Sequence, residues 1–178
     1  LAGLQKPLGG RILIGDEPLD GPGMNRSVVF QNYAIFPWMK AKQNVEFGIH
    51  QASLELHRGL SKERISEIAD EYLAKVNMTK AADLYPYQLS GGMQQRVAIA
   101  RAIVLNPRYL FCDEPNSGLD PQTSIVIDNL IHEITREYNI TTIINTHDMN
   151  SVMEIGEKIV YIHEGRKWWE GTKDDILH

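Results

Sequence analysis

Apolar positions recur at helical spacing in three stretches of the chain. In SKERISEIADEYLAKV, residues Ile65, Ile68, Ala69, Leu73 and Val76 share one face, and Ser61 stands where an N-cap belongs. Asp120-Pro121 combines a capping carboxylate with a proline suited to the first helical position, and Val126, Leu130, Ile134 and Tyr138 make the stripe of the helix that follows. From Ser90 to Leu105 the positions after Gln95 are apolar on most sides. That predicts a largely buried helix, stopped at Asn106-Pro107. Shorter helices are predicted from Lys42 to about Ile49 and in DMNSVMEIGE behind a capping Asp148, with a last helical turn in TKDDILH.

The other apolar runs are short and rich in β-branched or aromatic residues, as strands are. They are GRILIG (Gly10–Gly15), RSVVFQ (Arg26–Gln31), RYLFCDEP and ITTIINTH, with KIVYIHEG and RKWWEG read as a terminal hairpin. Gly21-Pro22-Gly23 separates the first two as a loop. Strands alternating with helices predict an α/β layer fold with a mainly parallel sheet. The stretch from about Phe47 to Ile103 holds no convincing strand, which predicts an inserted helical subdomain. The expected division is 1–46, 47–105 and 106–178, a core interrupted by a helical arm.

Composition narrows the picture without redirecting it. A chain of 178 residues can bury a proper core. Its formal charge of −5 offers no basic field for nucleic acid, and no Lys/Arg block suggests an anionic lipid surface. The one cysteine, Cys112, precludes an internal disulfide and suits a reducing compartment. No apolar run approaches the length of a membrane span, and no signal-peptide pattern is visible. The first residue is not Met, and LAGLQKPLGG reads as the tail of a helix entering a turn. The expectation is that part of a larger domain precedes it.

The candidate chemistry starts at LSGGMQQR. Gly costs about 1 kcal/mol against Ala inside a helix, so two glycines in a first turn need a reason. A helix N-terminus presents unpaired N–H groups and the positive end of the macrodipole to an anion, and Gly91 and Gly92 would let a phosphate reach the backbone beside the Ser90 hydroxyl. A serine-capped helix behind a glycine turn is the plain alternative. In YLFCDEP, a buried strand delivers Asp113 and Glu114 at its C-terminal end, where one carboxylate can hold a hydrated metal and the next can polarise a water. Two acidic residues ending a strand before Pro115 are equally plausible as a mere strand end. His147 in NTHD also ends a strand, where α/β sheets bind ligands, although a lone histidine there is more often structural. Asp120 needs no role beyond its cap, and Gln31 alone says nothing.

Together, VVFQ, LSGGMQQR, YLFCDEP, SGLD and NTHD closely resemble, in order, the Q-loop, signature motif, Walker B motif, D-loop and switch histidine of the ATPase domain of ABC transporters. The resemblance covers essentially the whole chain. It implies a P-loop NTPase-type fold in which two such domains sandwich ATP and Mg²⁺ head to tail. Ser90, Gly91, Gly92 and Gln94 would contact nucleotide held mainly by the other subunit. Asp113 and Gln31 would serve Mg²⁺, and Glu114 would be the general base. His147 would contact the γ-phosphate, and Asp120 would couple the two sites. Phe36, Pro37 and Trp38 would face transmembrane permease subunits, although a buried aromatic turn explains them as well. The implied location is the cytoplasmic face of a bacterial membrane, with a solute-binding protein as a further partner of an importer and no nucleic acid.

One family element is missing. The P-loop, G-x-x-x-x-G-K-[ST], which supplies a backbone cradle, a lysine and a metal-ligating hydroxyl, does not occur in the 178 residues. The chain alone is therefore expected to bind ATP weakly and not to turn it over. GPGMNRSVVFQNYAIFPWMKAKQNVEFGI and YPYQLSGGMQQRVAIARA resemble nitrate, sulfonate and taurine importers. DEPNSGLDPQTSIVIDNLIHEI and the segment after NTHD look more like phospholipid-trafficking ATPases. Import of a small oxyanion or organic solute is the expected role. The alternatives are a phospholipid-trafficking ATPase, a soluble ABC protein and a non-catalytic relic.

Overall fold

The computed structural model describes residues 2–176. A small hairpin, β1 (Leu13–Ile14) and β2 (Glu17–Pro18), precedes β3 (Arg26–Val29). Three helices follow, α1 (Ala41–Glu55), α2 (Lys62–Lys75) and α3 (Gly91–Ile103). Then come β4 (Tyr109–Asp113), α4 (Pro121–Glu137), β5 (Thr141–Asn145) and α5 (Met149–Ile155). A second hairpin, β6 (Ile159–His163) and β7 (Arg166–Gly171), leads to the turn α6 (Lys173–Ile176).

The central sheet is parallel throughout, in the order β3-β4-β5. Its register places Ser27, Leu110 and Thr142 in one row, and Val29, Cys112 and Ile144 in the next. These rows lie on the face that carries the buried positions of β3 and β4. The core is one cluster in which Val97, Ile99 and Ile103 of α3 are fully buried together with Val45, Leu73, Leu110 and Ile127 from the elements around it. On the opposite sheet face Val28, Phe111 and Ile143 align, and Ile143 is 40% exposed. β5 pairs with β4 alone among the described residues, which leaves its outer edge open. A hollow of about 480 Å³ lies beside that edge, lined by Ile131, Ile144, Val152, Ile155 and Ile159 among others. No helix among the described residues is long and apolar enough to cross a membrane.

Local chemistry explains most boundaries. Ser61 and Ser90 cap α2 and α3 by accepting from Arg64 N and Met93 N, each at 3.3 Å. Asp120 accepts from Gln122 N and Thr123 N at 3.1 Å, with Pro121 at the first helical position. Helices α2 and α4 end in Asn77 and Asn139, both with positive φ. The amides that follow bond back five residues, Met78 to Leu73 and Ile140 to Thr135.

The structure corrects several expectations. β1 covers only two residues of GRILIG, because the chain turns at Gly15 (φ +62°) into β2. β3 stops at Val29, so Gln31 stands two residues beyond the strand. α1 runs from Ala41 to Glu55, past the expected end near Ile49, and the expected boundary at Phe47 falls inside it. In α4 the buried stripe is Ile127, Leu130, Ile131 and Ile134, whereas Val126 is 43% exposed. A helix starting at Pro121 turns position 126 outward and 127 inward. Leu177 and His178, within the expected last turn, lie outside the described residues.

Candidate functional site

The three parallel strands end on one side of the sheet, the side on which open α/β sheets place ligands. β4 ends in Asp113 and β5 in Asn145, which are register partners, and the Asn145 amide donates to Asp113 Oδ1 at 2.8 Å. Glu114 follows at φ +48°, a region that non-glycine residues rarely adopt, and its N–H donates to Asn145 O at 2.8 Å. His147 Nδ1 lies 2.9 Å from Glu114 Oε1. This carboxylate, by hydrogen bond and charge, holds the His147 imidazole above its ordinary 6.5. Glu114 is sheltered, with its side chain 18% exposed, whereas the His147 side chain is 83% exposed. Beyond β3, Gln31 Nε2 donates to Ser117 Oγ at 3.0 Å, which ties the Gln31 loop to the loop after Glu114.

Gln31, Asp113, Glu114 and His147 are thus linked pairwise through Ser117 and Asn145. One Asp113 oxygen accepts from Asn145, and the Gln31 amide oxygen is not used in the bond to Ser117. A protein carboxylate and an amide oxygen fit Mg²⁺, which keeps several waters and takes phosphate oxygens rather than an all-protein cage. No cluster of three His, Cys, Asp or Glu suited to a metal occurs among the described residues. Cys112 sits in the core, where burial pushes its thiol up to about 12, so it is inert at neutral pH.

Ser90, Gly91 and Gly92 occupy the tip of α3, a different location from the strand ends. No hydrogen bond among the described residues joins them to Asp113, Glu114 or His147. Gly91 and Gly92, as the first residues of a helix, have no intrahelical acceptor for their amides. Gln94 faces back to its own turn, with Nε2 donating to Leu89 O at 3.2 Å. The glycines also have a reason within the chain. A Cβ on Gly92 would lie 2.4 Å from Thr123 Cγ2, and one on Gly91 would lie 2.7 Å from the Tyr33 hydroxyl and 3.0 Å from Leu119 Cδ2. The tips of α3 and α4 meet backbone to side chain, and the loop after Gln31 closes over them. Packing against the short, β-branched Thr123 therefore favours glycine at position 92, whereas at position 91 the neighbours are the ends of the Tyr33 and Leu119 side chains, which can move aside.

Phe36, Pro37 and Trp38 lie in the loop that enters α1. Phe36 packs edge-on against Phe47 at 4.9 Å between centroids and tilts against Trp38 at 5.5 Å, while Trp38 is 69% exposed. Sequence reasoning missed the residues that hold this loop. Asn44, fully buried, accepts from Phe36 N at 2.7 Å and donates to carbonyls of residues 36, 39 and 40. Arg101 donates to Ala34 O at 2.8 Å with its guanidinium over the Phe36 ring. Gln95, also fully buried, donates to Pro115 O at 2.8 Å and so ties α3 to the loop after Glu114. Asp128, set inside the apolar run IVIDNLI, carried a signal, whereas Asn44 behind Lys42 and Gln43 and Gln95 between Gln94 and Arg96 look like ordinary polar positions.

The parallel sheet with Asp113, Glu114 and His147 gathered at and just beyond its strand ends, and a helical arm between β3 and β4, is the fold of the ATP-binding cassettes. Residues 1–117 match the sequence model of the ABC transporter family, and the chain belongs to that family. It is 44% identical over 160 residues, 89% of its length and 59% of the relative's, to a protein of Brucella abortus biovar 1 (strain 9-941) provisionally named as ATP-binding. It is 38% identical over 166 residues, 93% of its length and 60% of the relative's, to a nitrate import ATP-binding protein of Synechocystis sp.. The chain spans about three fifths of the length of these curated relatives. Among solved structures, a dimeric post-hydrolysis state of the ATP-binding cassette MJ0796 bound to ADP and Pi matches with a TM-score of 0.81 and 31% identity. That match covers 96% of this chain and 76% of the other.

Proposed function

We propose that this chain is the catalytic part of an ABC transporter ATPase that powers import of a small oxyanion. The observation that carries the reading is the Glu114–His147 pair, 2.9 Å apart at the strand ends, with Asp113 and Gln31 tied into the same cluster. Glu114, held at φ +48° and sheltered from solvent, orients and deprotonates the attacking water. His147, exposed beside it, meets the terminal phosphate. Asp113 and Gln31 would hold Mg²⁺, which when bound would neutralise charge on the phosphates. Ser90, Gly91, Gly92 and Gln94, which share no hydrogen bond with this cluster among the described residues, contact nucleotide on a second subunit, and Asp120 lies at the junction. The dimeric state of the MJ0796 cassette supports that pairing.

The helical arm between β3 and β4, residues 47–105 in the proposed division, carries the tip of α3 toward the second subunit. Phe36, Pro37 and Trp38 face the permease, which holds the protein at the membrane surface. Relatives named for nitrate import and, at 36% identity, for bicarbonate transport in Synechococcus elongatus favour an oxyanion as the cargo. The 178 residues lack the P-loop motif, so hydrolysis is expected of the longer protein paired with its partners and not of this stretch alone.

The test is phosphate release from ATP by the longer protein with its permease. Glu114→Gln should lower the rate by about 10²–10⁴-fold, the contribution of a positioned general base, with nucleotide binding retained. A variant with undiminished turnover would overturn the assignment.

A further inference from the structure

His147 has a positioning problem. Its side chain is 83% exposed, so packing does not hold it, and its one side-chain hydrogen bond among the described residues is to Glu114. Glu114 in turn sits in an unfavourable backbone region that its surroundings have to maintain. Both residues lead into segments that meet at a single buried carboxylate. Asn116, two residues after Glu114, donates through Nδ2 to Asp128 Oδ1 at 2.7 Å and to Ser151 Oγ at 3.0 Å. Ser151, four residues after His147 on α5, donates to Asp128 Oδ2 at 2.8 Å, with a longer approach of 3.4 Å to Asp148 Oδ2. Asn116, Asp128 and Ser151 are 7%, 3% and 3% exposed.

We propose that Asn116, Asp128 and Ser151 are positioning residues that hold Glu114 and His147 in contact by fastening the loop after β4 and the start of α5 to one point on α4. Stability alone does not explain a carboxylate at position 128. It adjoins the apolar stripe Ile127, Leu130, Ile131 and Ile134, where an aliphatic residue would pack without desolvating a charge. Burial indeed raises the Asp128 carboxyl above its ordinary range, and only the Ser151 and Asn116 donors oppose that rise. What the carboxylate provides is geometry. Its two oxygens receive one donor from the Glu114 side and one from the His147 side, so neither segment shifts without breaking a buried bond. The loop is further set by Ser117 N bonding Glu114 O at 3.0 Å and Leu119 N bonding Asn116 O at 3.1 Å.

The inference rests on the reading of Glu114 and His147 as the hydrolytic pair, but its test needs no nucleotide. The imidazole resonances of His147 in the 178-residue chain are followed by NMR against pH, with His147→Gln used for assignment among the six histidines. The native midpoint should lie above 6.5. Ser151→Ala and Asn116→Ala change no charge and leave Asp148 beside the ring, so the expected fall of the midpoint toward the ordinary value reports lost contact with Glu114 and not altered field. Ser151→Thr, which keeps the hydroxyl, should preserve the elevation. Ser53→Ala removes an equally buried serine that accepts from Leu60 N at 3.1 Å on α1, and it should leave His147 unchanged. An unmoved midpoint in folded Ser151→Ala or Asn116→Ala would overturn the proposal, as would an equal fall in Ser53→Ala. Failure of both network variants to fold would also overturn it, because the triad would then be a folding element. Undiminished ATP turnover by Glu114→Gln would instead remove the hydrolytic reading and leave the titration result intact.

Discussion

The Thr123 methyl occupies the space that a side chain on Gly92 would need, 2.4 Å from the position of the missing Cβ. Thr123 is β-branched and has few χ1 options in the first turn of α4, where its hydroxyl and amide both bond Asp120. Gly92→Ala should therefore destabilise the chain by about 1–3 kcal/mol, the usual cost of overpacking, although Ala is the better helix former. Thr123→Ser removes the methyl and keeps the hydroxyl, so the double variant should recover most of the loss. Urea unfolding of the four proteins gives the coupling directly. Additive effects, or a Gly92→Ala protein as stable as the parent, would show that the helix tips do not meet this way.

The His147–Glu114 contact has a definite pH signature. The imidazole titrates above 6.5 in the fold, so the pair contributes fully below that pH and its contribution fades as pH rises through the folded midpoint. Glu114→Gln removes the larger of the two charges beside the ring, the other being Asp148, and should lower the His147 midpoint toward its ordinary value. The stability difference between parent and Glu114→Gln should be present at mildly acidic pH and shrink under alkaline conditions. A difference that grows with pH would contradict the pairing.

Asn44 makes four hydrogen bonds to the Phe36–Lys40 loop from a fully buried position. Asn44→Ala strands the Phe36 amide and the Met39 carbonyl, at a cost of about 1–3 kcal/mol for each group left without a partner, while the Phe36 and Lys40 carbonyls keep the backbone amides of Met39 and Asn44. Amide exchange at Phe36 should accelerate well beyond the global loss of stability, because the loop opens locally. Exchange that follows global stability alone would mean the loop is held by the Phe36–Phe47 contact and Arg101 instead.

Elements set by local rules were legible in the sequence. Ser61, Ser90, Asp120 and Asp148 cap the helices they were expected to cap, and the strands ending in Asp113 and Asn145 fall where a short aromatic run and a β-branched run predict them. Relations between distant segments were not legible. Nothing local to Asn116 or Ser151 announces that they meet Asp128, since the chain brings them together across 12 and 23 residues. The glycines show the same limit. Their cost to the helix was plain, but Thr123 as the reason for Gly92 becomes visible only when α4 is in place. Leu130 and Ile134 were placed correctly in the α4 stripe, and its first position alone was misplaced for a simpler reason: Val126 and Ile127 are both apolar, and only the helix phase set at Pro121 separates them.

The outer edge of β5 makes the last prediction. Its backbone groups face no partner strand among the described residues, Ile143 is 40% exposed on the open sheet face, and Tyr161, Ile162 and Trp168 of the terminal hairpin are between 53% and 72% exposed. An unpaired strand edge beside apolar surface is a template for another chain, and no proline or charge occurs within β5 to blunt it. The 178-residue chain should therefore self-associate as its concentration rises, which light scattering and sedimentation detect. Ile143→Lys places a charge on the exposed face without entering the core and should suppress association while leaving the unfolding midpoint of the monomer nearly unchanged. Two strand edges pairing would also raise the β signal in circular dichroism with concentration, which loose apolar clustering would not. A chain that stays monomeric at high concentration and unfolds in one reversible step would show that this edge is protected by the twist and brevity of β5.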